Sequence, residues 1–176
     1  LTYAYTPKNL KELRSWSARQ AQQSEFRTVG VYAGALGFVV NTKLLKKRGL
    51  AVPKCWKDLL DPKYEGEVQM ANPNSSGTAY TLLATIVQLF GEKDGFGYMR
   101  KLHHNINQYT KSGSAPLKAT SRGETTVGIG FLHDAVPLAQ QGFPIEIVAP
   151  CEGTGYEVGS MSVIRGAPNL QNALKF

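Results

Sequence analysis

The spacing of apolar side chains along this chain switches repeatedly between two and about 3.6 residues, which predicts strands alternating with helices. Residues 28–40 are a long apolar run broken by Gly30, Gly34 and Gly37; they predict a strand with bends or close backbone approaches. The segment Glu67-Val68-Gln69-Met70-Ala71 alternates and predicts a short strand. Beyond it Leu82, Leu83, Ile86, Val87, Leu89 and Phe90 recur at helical spacing. The connection Asn72-Pro73-Asn74-Ser75-Ser76-Gly77-Thr78-Ala79-Tyr80 therefore reads as a tight turn opening a helix, with Asn74 or Ser75 as its cap.

Further helices are predicted over 9–23, with Leu10, Leu13 and Trp16 on one side, and over 93–104, 114–122 and 134–141. A short helix is capped by Asn41 and ended by Gly49, and another within 53–62 is stopped by Pro62. Strands are predicted over 106–110, 126–131, 145–149 and 156–164. This alternation predicts an α/β fold, a three-layer αβα lobe with a mostly parallel sheet.

The 176 residues, 42% of them hydrophobic and eighteen of them Gly, suit one good core with an appendage. The first residue is Leu, and the last residues start a helix that breaks off after two turns, so a fragment of a longer chain is expected. No apolar run reaches membrane-spanning length. Net charge is +7, which suits an anionic ligand. Lys43, Lys46, Lys47 and Arg48 form the one cationic cluster and lack an aromatic stacking platform, so a solvated helix face is expected and not a nucleic-acid surface.

Three stretches carry candidate chemistry. The helix start at Ser75, Ser76, Gly77 and Thr78 offers the unpaired amides of Ser76, Gly77 and Thr78, small hydroxyls and the positive end of the helix dipole, all suited to an anion. The same residues also suit plain capping of a core helix. Val127-Gly128-Ile129-Gly130-Phe131-Leu132-His133-Asp134 places His133 and Asp134 at the carboxyl end of a strand, where open α/β sheets bind ligands. Asp134 equally suits a helix cap, with Pro137 tolerated in the first turn. Gly128 and Gly130 form a G-x-G with no dinucleotide pattern after it. The loop Cys151-Glu152-Gly153-Thr154-Gly155 leads into a strand carrying Glu157, whose carboxylate suits neighbouring sugar hydroxyls or a plain surface charge. Cys55 and Cys151 lack metal-ligand spacing; pairing and two separate buried thiols both remain open.

The order GVYAGALGFVVNTKLLKKRGL, VPKCWKDLLDPKYEGEVQMANPNSSGTAY, VGIGFLHDA and PCEGTGYEVGSMSVIRGAPN resembles the type II periplasmic substrate-binding proteins of ABC importers, within their ferric-ion-binding-like cluster. The resemblance runs over nearly the whole chain. It implies two α/β lobes joined by hinge strands that close on a ligand. Residues 1–41 would then be the end of the amino-terminal lobe and the first hinge strand, 42–156 the carboxy-terminal lobe, and 157–176 the return strand with the start of a helix.

Iron-binding members carry two adjacent tyrosines where this chain has His133-Asp134, and an imidazole with a carboxylate is a poorer Fe(III) site than two phenolates. FLHD with GTGYE resembles instead the branch that binds hexose phosphates. That likeness implies sugar-hydroxyl contacts from His133, Asp134 and Glu157, and a phosphate subsite from Ser75, Ser76, Gly77 and Thr78 together with the other lobe. It implies periplasmic location, a membrane permease as partner, a monomer, no cofactor and no catalysis. A lone lobe is expected to bind sugar phosphate weakly or not at all. The alternatives are Fe(III) carriage, with Tyr80 and Tyr156 as phenolate donors, and polyamine binding. A hydrolase built from His133, Asp134 and a serine is disfavoured by the absence of a G-x-S-x-G elbow.

Overall fold

The computed structural model describes residues 1–175. Its elements, in chain order, are β1 (Thr2–Tyr3), α1 (Ser15–Gln23), β2 (Val29–Asn41), α2 (Thr42–Arg48), β3 (Val68–Ala71), α3 (Gly77–Phe90), α4 (Glu92–Asn105), β4 (Ile106–Thr110), α5 (Ala115–Arg122), β5 (Val127–Phe131), α6 (Leu132–Gln140), β6 (Ile145–Val148), β7 (Tyr156–Met161), β8 (Val163–Ile164) and α7 (Leu170–Ala173). Single 3₁₀ turns occupy Leu10–Glu12, Lys57–Leu60 and Pro62–Tyr64. The chain forms two compact units, one from Leu1–Gly34 with the segment from Glu157 onward, the other Ala35–Tyr156.

In the first unit β1 pairs antiparallel with β8, Thr2 opposite Ile164. Trp16 and Gln20 on α1 press against Gly30, where a Cβ would come within 2.8 Å of both and of Val158. The helix predicted over 9–23 is two pieces, because Leu13 and Arg14 are extended (ψ 148°) between the 3₁₀ turn and α1. The long strand predicted over 156–164 is likewise broken at Ser162 into β7 and β8.

The second unit is a sheet in the order β4-β3-β5-β2-β6. The expectation of a mostly parallel sheet needs correction: β3 pairs parallel with β4 and β5, but β2 runs antiparallel to both β5 and β6. The physical reason is connectivity. Helical crossovers join β3 to β4, β4 to β5 and β5 to β6, which lets these four strands run in one direction. The strand β2 has no such crossover and is slotted between β5 and β6.

Helices cover both faces. On one, Leu36, Phe38 and Val40 of β2 and Val127, Ile129 and Phe131 of β5 pack with Leu82 and Ile86 of α3, Leu102 of α4 and Trp56. On the other, Val39 packs with Leu117 of α5 and Ala135 of α6. The alternation of β2 thus decides which side chain meets which helix layer. The G-x-G of β5 has a packing role: a Cβ on Gly128 would lie 2.5 Å from Pro116 O, and one on Gly130 would lie 3.1 Å from Leu117. Both glycines let α5 settle directly on the strand.

Caps follow local chemistry. The Asn41 side chain accepts from the Lys43 and Leu44 amides, and Gly49 ends α2 with φ 65°. The predicted helix within 53–62 is a pair of 3₁₀ turns, and Pro62 opens the second of them.

Candidate functional site

The strands β3, β4 and β5 are parallel, and α3, α5 and α6 start from their carboxyl ends. Three helix amino-termini therefore share one edge of the sheet. The connections after β3 and β4 are tied together, the Asn72 amide donating to Thr110 O at 2.8 Å. Gly113 packs so closely on α3 that a Cβ there would overlap Thr78 and lie 3.0 Å from Ser76 Oγ.

The cap of α3 is Ser76, one or two residues later than expected, and its Oγ accepts from the Ala79 amide at 3.5 Å. The Ser76 amide is not free as the sequence reading supposed; it donates to Asn72 O at 3.0 Å, as does the Ser75 amide. The turn Asn72-Pro73-Asn74-Ser75 folds back on Asn72 and consumes both donors. The amides of Gly77 and Thr78 have no acceptor among the described residues. Ser75 is exposed, its Oγ 3.4 Å from Asn72 O and 3.5 Å from Lys111 O. Facing these groups is the loop Lys111-Ser112-Gly113-Ser114, with Ser112 Oγ and Ser114 Oγ 3.4 Å apart. This loop was not singled out in the sequence, although it repeats the small-residue strand-turn-helix pattern of 72–78.

The helix α6 follows β5 without a gap. His133 and Asp134 therefore lie in its first turn, not before it, and Asp134 is not its cap; Phe131 takes that position with no side-chain bond. Pro137 sits inside the helix for the same reason. The His133 ring stacks on Phe131, centroids 5.5 Å apart and planes at 18°. His133 Nε2 lies 3.6 Å from Asp134 Oδ1, and both side chains are about two-fifths exposed (42% and 40%). The pair is thus held at the same strand edge as the α3 and α5 starts.

The chain also enters and leaves this unit at that edge. Leu36 pairs with Phe131, and the Leu36 amide donates to Gly155 O at 3.0 Å. Glu157, two residues on, belongs to the other unit. There its Oε1 accepts a hydrogen bond from Tyr32 Oη at 3.2 Å, and the Tyr32 ring lies over Gly159. Tyr32 was not a candidate from sequence.

Cys55 and Cys151 are joined by a disulfide. Together with Glu152 they are the one cluster of three potential metal donors among the described residues, and their sulfurs are consumed by the bond. Glu152 is occupied as well, accepting from the Trp56 and Lys57 amides at 2.7 and 3.0 Å. Asp58 accepts from the Lys54 and Cys55 amides at 2.8 and 2.9 Å. These carboxylates fasten a turn. Tyr80 and Tyr156 are both exposed, at 63% and 69%. No helix among the described residues is long and apolar enough to cross a membrane.

A mixed sheet between two helix layers, with polar helix starts and the chain crossings gathered on one edge, defines a ligand-binding unit of the periplasmic binding protein kind. The chain belongs to the bacterial extracellular solute-binding protein family, whose model matches residues 1–174. It is similar to the periplasmic binding protein AfuA from Actinobacillus pleuropneumoniae, whose structure has exogenous fructose-6-phosphate bound, at 52% identity and TM-score 0.93, covering 99% of this chain and 55% of that one. The periplasmic binding protein P5PA is 38% identical with TM-score 0.91, over 99% and 55% of the two chains. An uncharacterized protein of Haemophilus influenzae is 50% identical over 173 residues, 98% of this chain and 50% of that protein. Apo ferric ion-binding protein A of Pasteurella haemolytica, at 19% identity and TM-score 0.71 over 99% of this chain and 56% of that one, shares the fold. The chain spans about half the length of the relatives it matches.

Proposed function

We propose that this chain is part of the extracytoplasmic solute receptor of an ABC importer that captures a hexose phosphate and passes it to a membrane permease. The observation that carries this reading is 52% identity over 99% of the chain to a binding protein with fructose-6-phosphate bound. The local chemistry agrees with it. The free amides of Gly77 and Thr78, with the hydroxyls of Ser75 and Ser76, suit a phosphate. His133, Asp134 and Glu157 suit sugar hydroxyls, since ionised carboxylates accept such hydrogen bonds strongly. Keeping the acids away from the phosphate avoids repulsion between like charges.

In this reading residues 1–41 end the amino-terminal lobe and form the first hinge strand, 42–156 are the carboxy-terminal lobe, and 157–176 return through the hinge. The work done is binding. The ligand stabilises a closed form by binding it better than the open one, and the closed form docks on the permease. The place of action is the periplasm, and the partner chemistry is a small anion with vicinal hydroxyls.

Titration calorimetry of the full-length protein with fructose-6-phosphate tests the proposal, beside mass spectrometry of the ligand that copurifies. Heat of binding with a sugar phosphate in the spectrum supports it. Absence of sugar-phosphate binding, together with Fe(III) uptake and charge-transfer colour, overturns it.

A further inference from the structure

We infer that Tyr32 is a positioning residue for the ligand-binding carboxylate of Glu157, and that Gly159 is glycine to make room for it. The inference rests on the proposed role of Glu157 in holding sugar hydroxyls. Three observations support it, all within the first unit. The Tyr32 hydroxyl donates to Glu157 Oε1 at 3.2 Å across 125 positions of sequence. A Cβ at Gly159 would overlap Tyr32 Cε1, Cζ and Cδ1, so the ring lies directly against the backbone of β7 near Glu157. Tyr32 is 47% exposed and belongs to neither buried hydrophobic cluster.

The chemistry follows from the donor inventory. A carboxylate accepts only, and its two oxygens together offer about four acceptor sites. One hydrogen bond from a phenol on Oε1 fixes the side-chain rotamer and leaves Oε2 for a ligand hydroxyl. Without that bond a glutamate on a half-exposed strand samples several rotamers, and each ordering event opposes binding. Gly159 lets the ring approach the backbone of β7, which brings the hydroxyl within reach of Glu157. Tyr32 also lies on β2, the strand that continues into the second unit at Ala35, and Glu157 is the first residue after the chain returns. The bond therefore links the outgoing and returning strands next to the point where each changes unit.

The test is a double-mutant cycle in the full-length protein, with fructose-6-phosphate as the probe in titration calorimetry. Tyr32→Phe keeps the ring over Gly159 and removes the hydroxyl; its affinity is expected to fall about tenfold. Glu157→Gln is expected to lose more, and adding Tyr32→Phe to it is expected to cost less than twofold, since the phenol then has no carboxylate to orient. Gly159→Ala, which pushes the ring away, is expected to match Tyr32→Phe in affinity. A merely structural tyrosine would give additive losses in the cycle, and that result overturns the inference. Tyr32→Phe binding like the parent while Glu157→Gln binds weakly overturns it too and leaves the proposed function standing. Parent and Glu157→Gln binding equally well sinks the role of Glu157 itself, and the inference with it.

Discussion

The backbone amide of Leu36 donates to the carbonyl of Gly155 at 3.0 Å, so the strand that enters the second unit is stitched to the segment that leaves it. Gly155 reaches this position only because it lacks a side chain, since a Cβ there would overlap Thr85 Oγ1. The approach is close enough that any larger residue must push α3 or the exit segment aside.

The first prediction concerns that contact. Gly155→Ala is expected to destabilise the protein by about 1–3 kcal/mol, the usual cost of overpacking. Thr85→Ala in the same chain is expected to return part of the loss, because it removes the atom in the way. Urea unfolding of the single and double variants measures this, and additive losses would count against the steric account.

The disulfide gives the second prediction. Cys55 and Cys151 are 96 positions apart, and the same turn is held by Glu152 on the Trp56 and Lys57 amides and by Trp56 Nε1 on Gly153 O at 3.1 Å. On the chain-entropy account a loop of this length contributes about 4–5 kcal/mol. Replacing both cysteines by serine is expected to lower the unfolding free energy by about 4 kcal/mol, read in urea with and without reductant. The variant should also become indifferent to reductant.

The third prediction separates ligand acids from structural acids. Asp134→Ala or Glu157→Ala in the full-length protein is expected to cost about 1.5–3 kcal/mol of sugar-phosphate affinity, the range for hydrogen bonds to charged groups. Asp58→Ala is expected to leave affinity unchanged and to lower stability by about 1 kcal/mol, because its carboxylate holds the Lys54 and Cys55 amides. Calorimetry and thermal unfolding on the same preparations distinguish the two. Equal affinity losses at Asp58 and Asp134 would place the site elsewhere.

The fourth concerns alkaline pH. Burial raises the pKa of the Tyr98 phenol far above its ordinary 10.0, and the negative charges of Glu152 and Asp58 nearby add to the effect. Its hydroxyl donates to Trp56 O at 2.7 Å. A folded-state pKa above the unfolded one means that the folded chain holds the proton more tightly. That stability is fully present below pH 10 and is lost as pH rises beyond it. Tyr98→Phe is expected to cost about 1 kcal/mol at neutral pH, from the lost hydrogen bond, and to flatten the decline in unfolding free energy above pH 10.

How much of this was legible in the sequence depended on range. Asn41 and Gly49 mark their helix by backbone rules that act within four residues, and both positions are as expected. The start of α6 was misplaced because no polar cap announces it: β5 runs straight into the helix, and Phe131 stands at the boundary. Ser76 was misread as an open donor because the turn that consumes its amide depends on how Asn72 folds back. The antiparallel placement of β2 is a matter of which strands end up adjacent, and alternation of apolar residues is blind to that. Tyr32 is the clearest omission. On a glycine-rich strand a tyrosine looks like any other β-forming residue, and its partner lies 125 positions away.

The split make-up of the first unit bears on how the chain is made. Thr2 must wait for Ile164 before β1 finds its partner, whereas everything the second unit needs has emerged by residue 156. With domains maturing as units during synthesis at roughly 5–20 residues per second, the second unit can set first, and the first unit is completed only after its later segment has been made. Residues 1–34, with Trp16 and the tyrosines of β1 and its vicinity, then wait for partners that are made last.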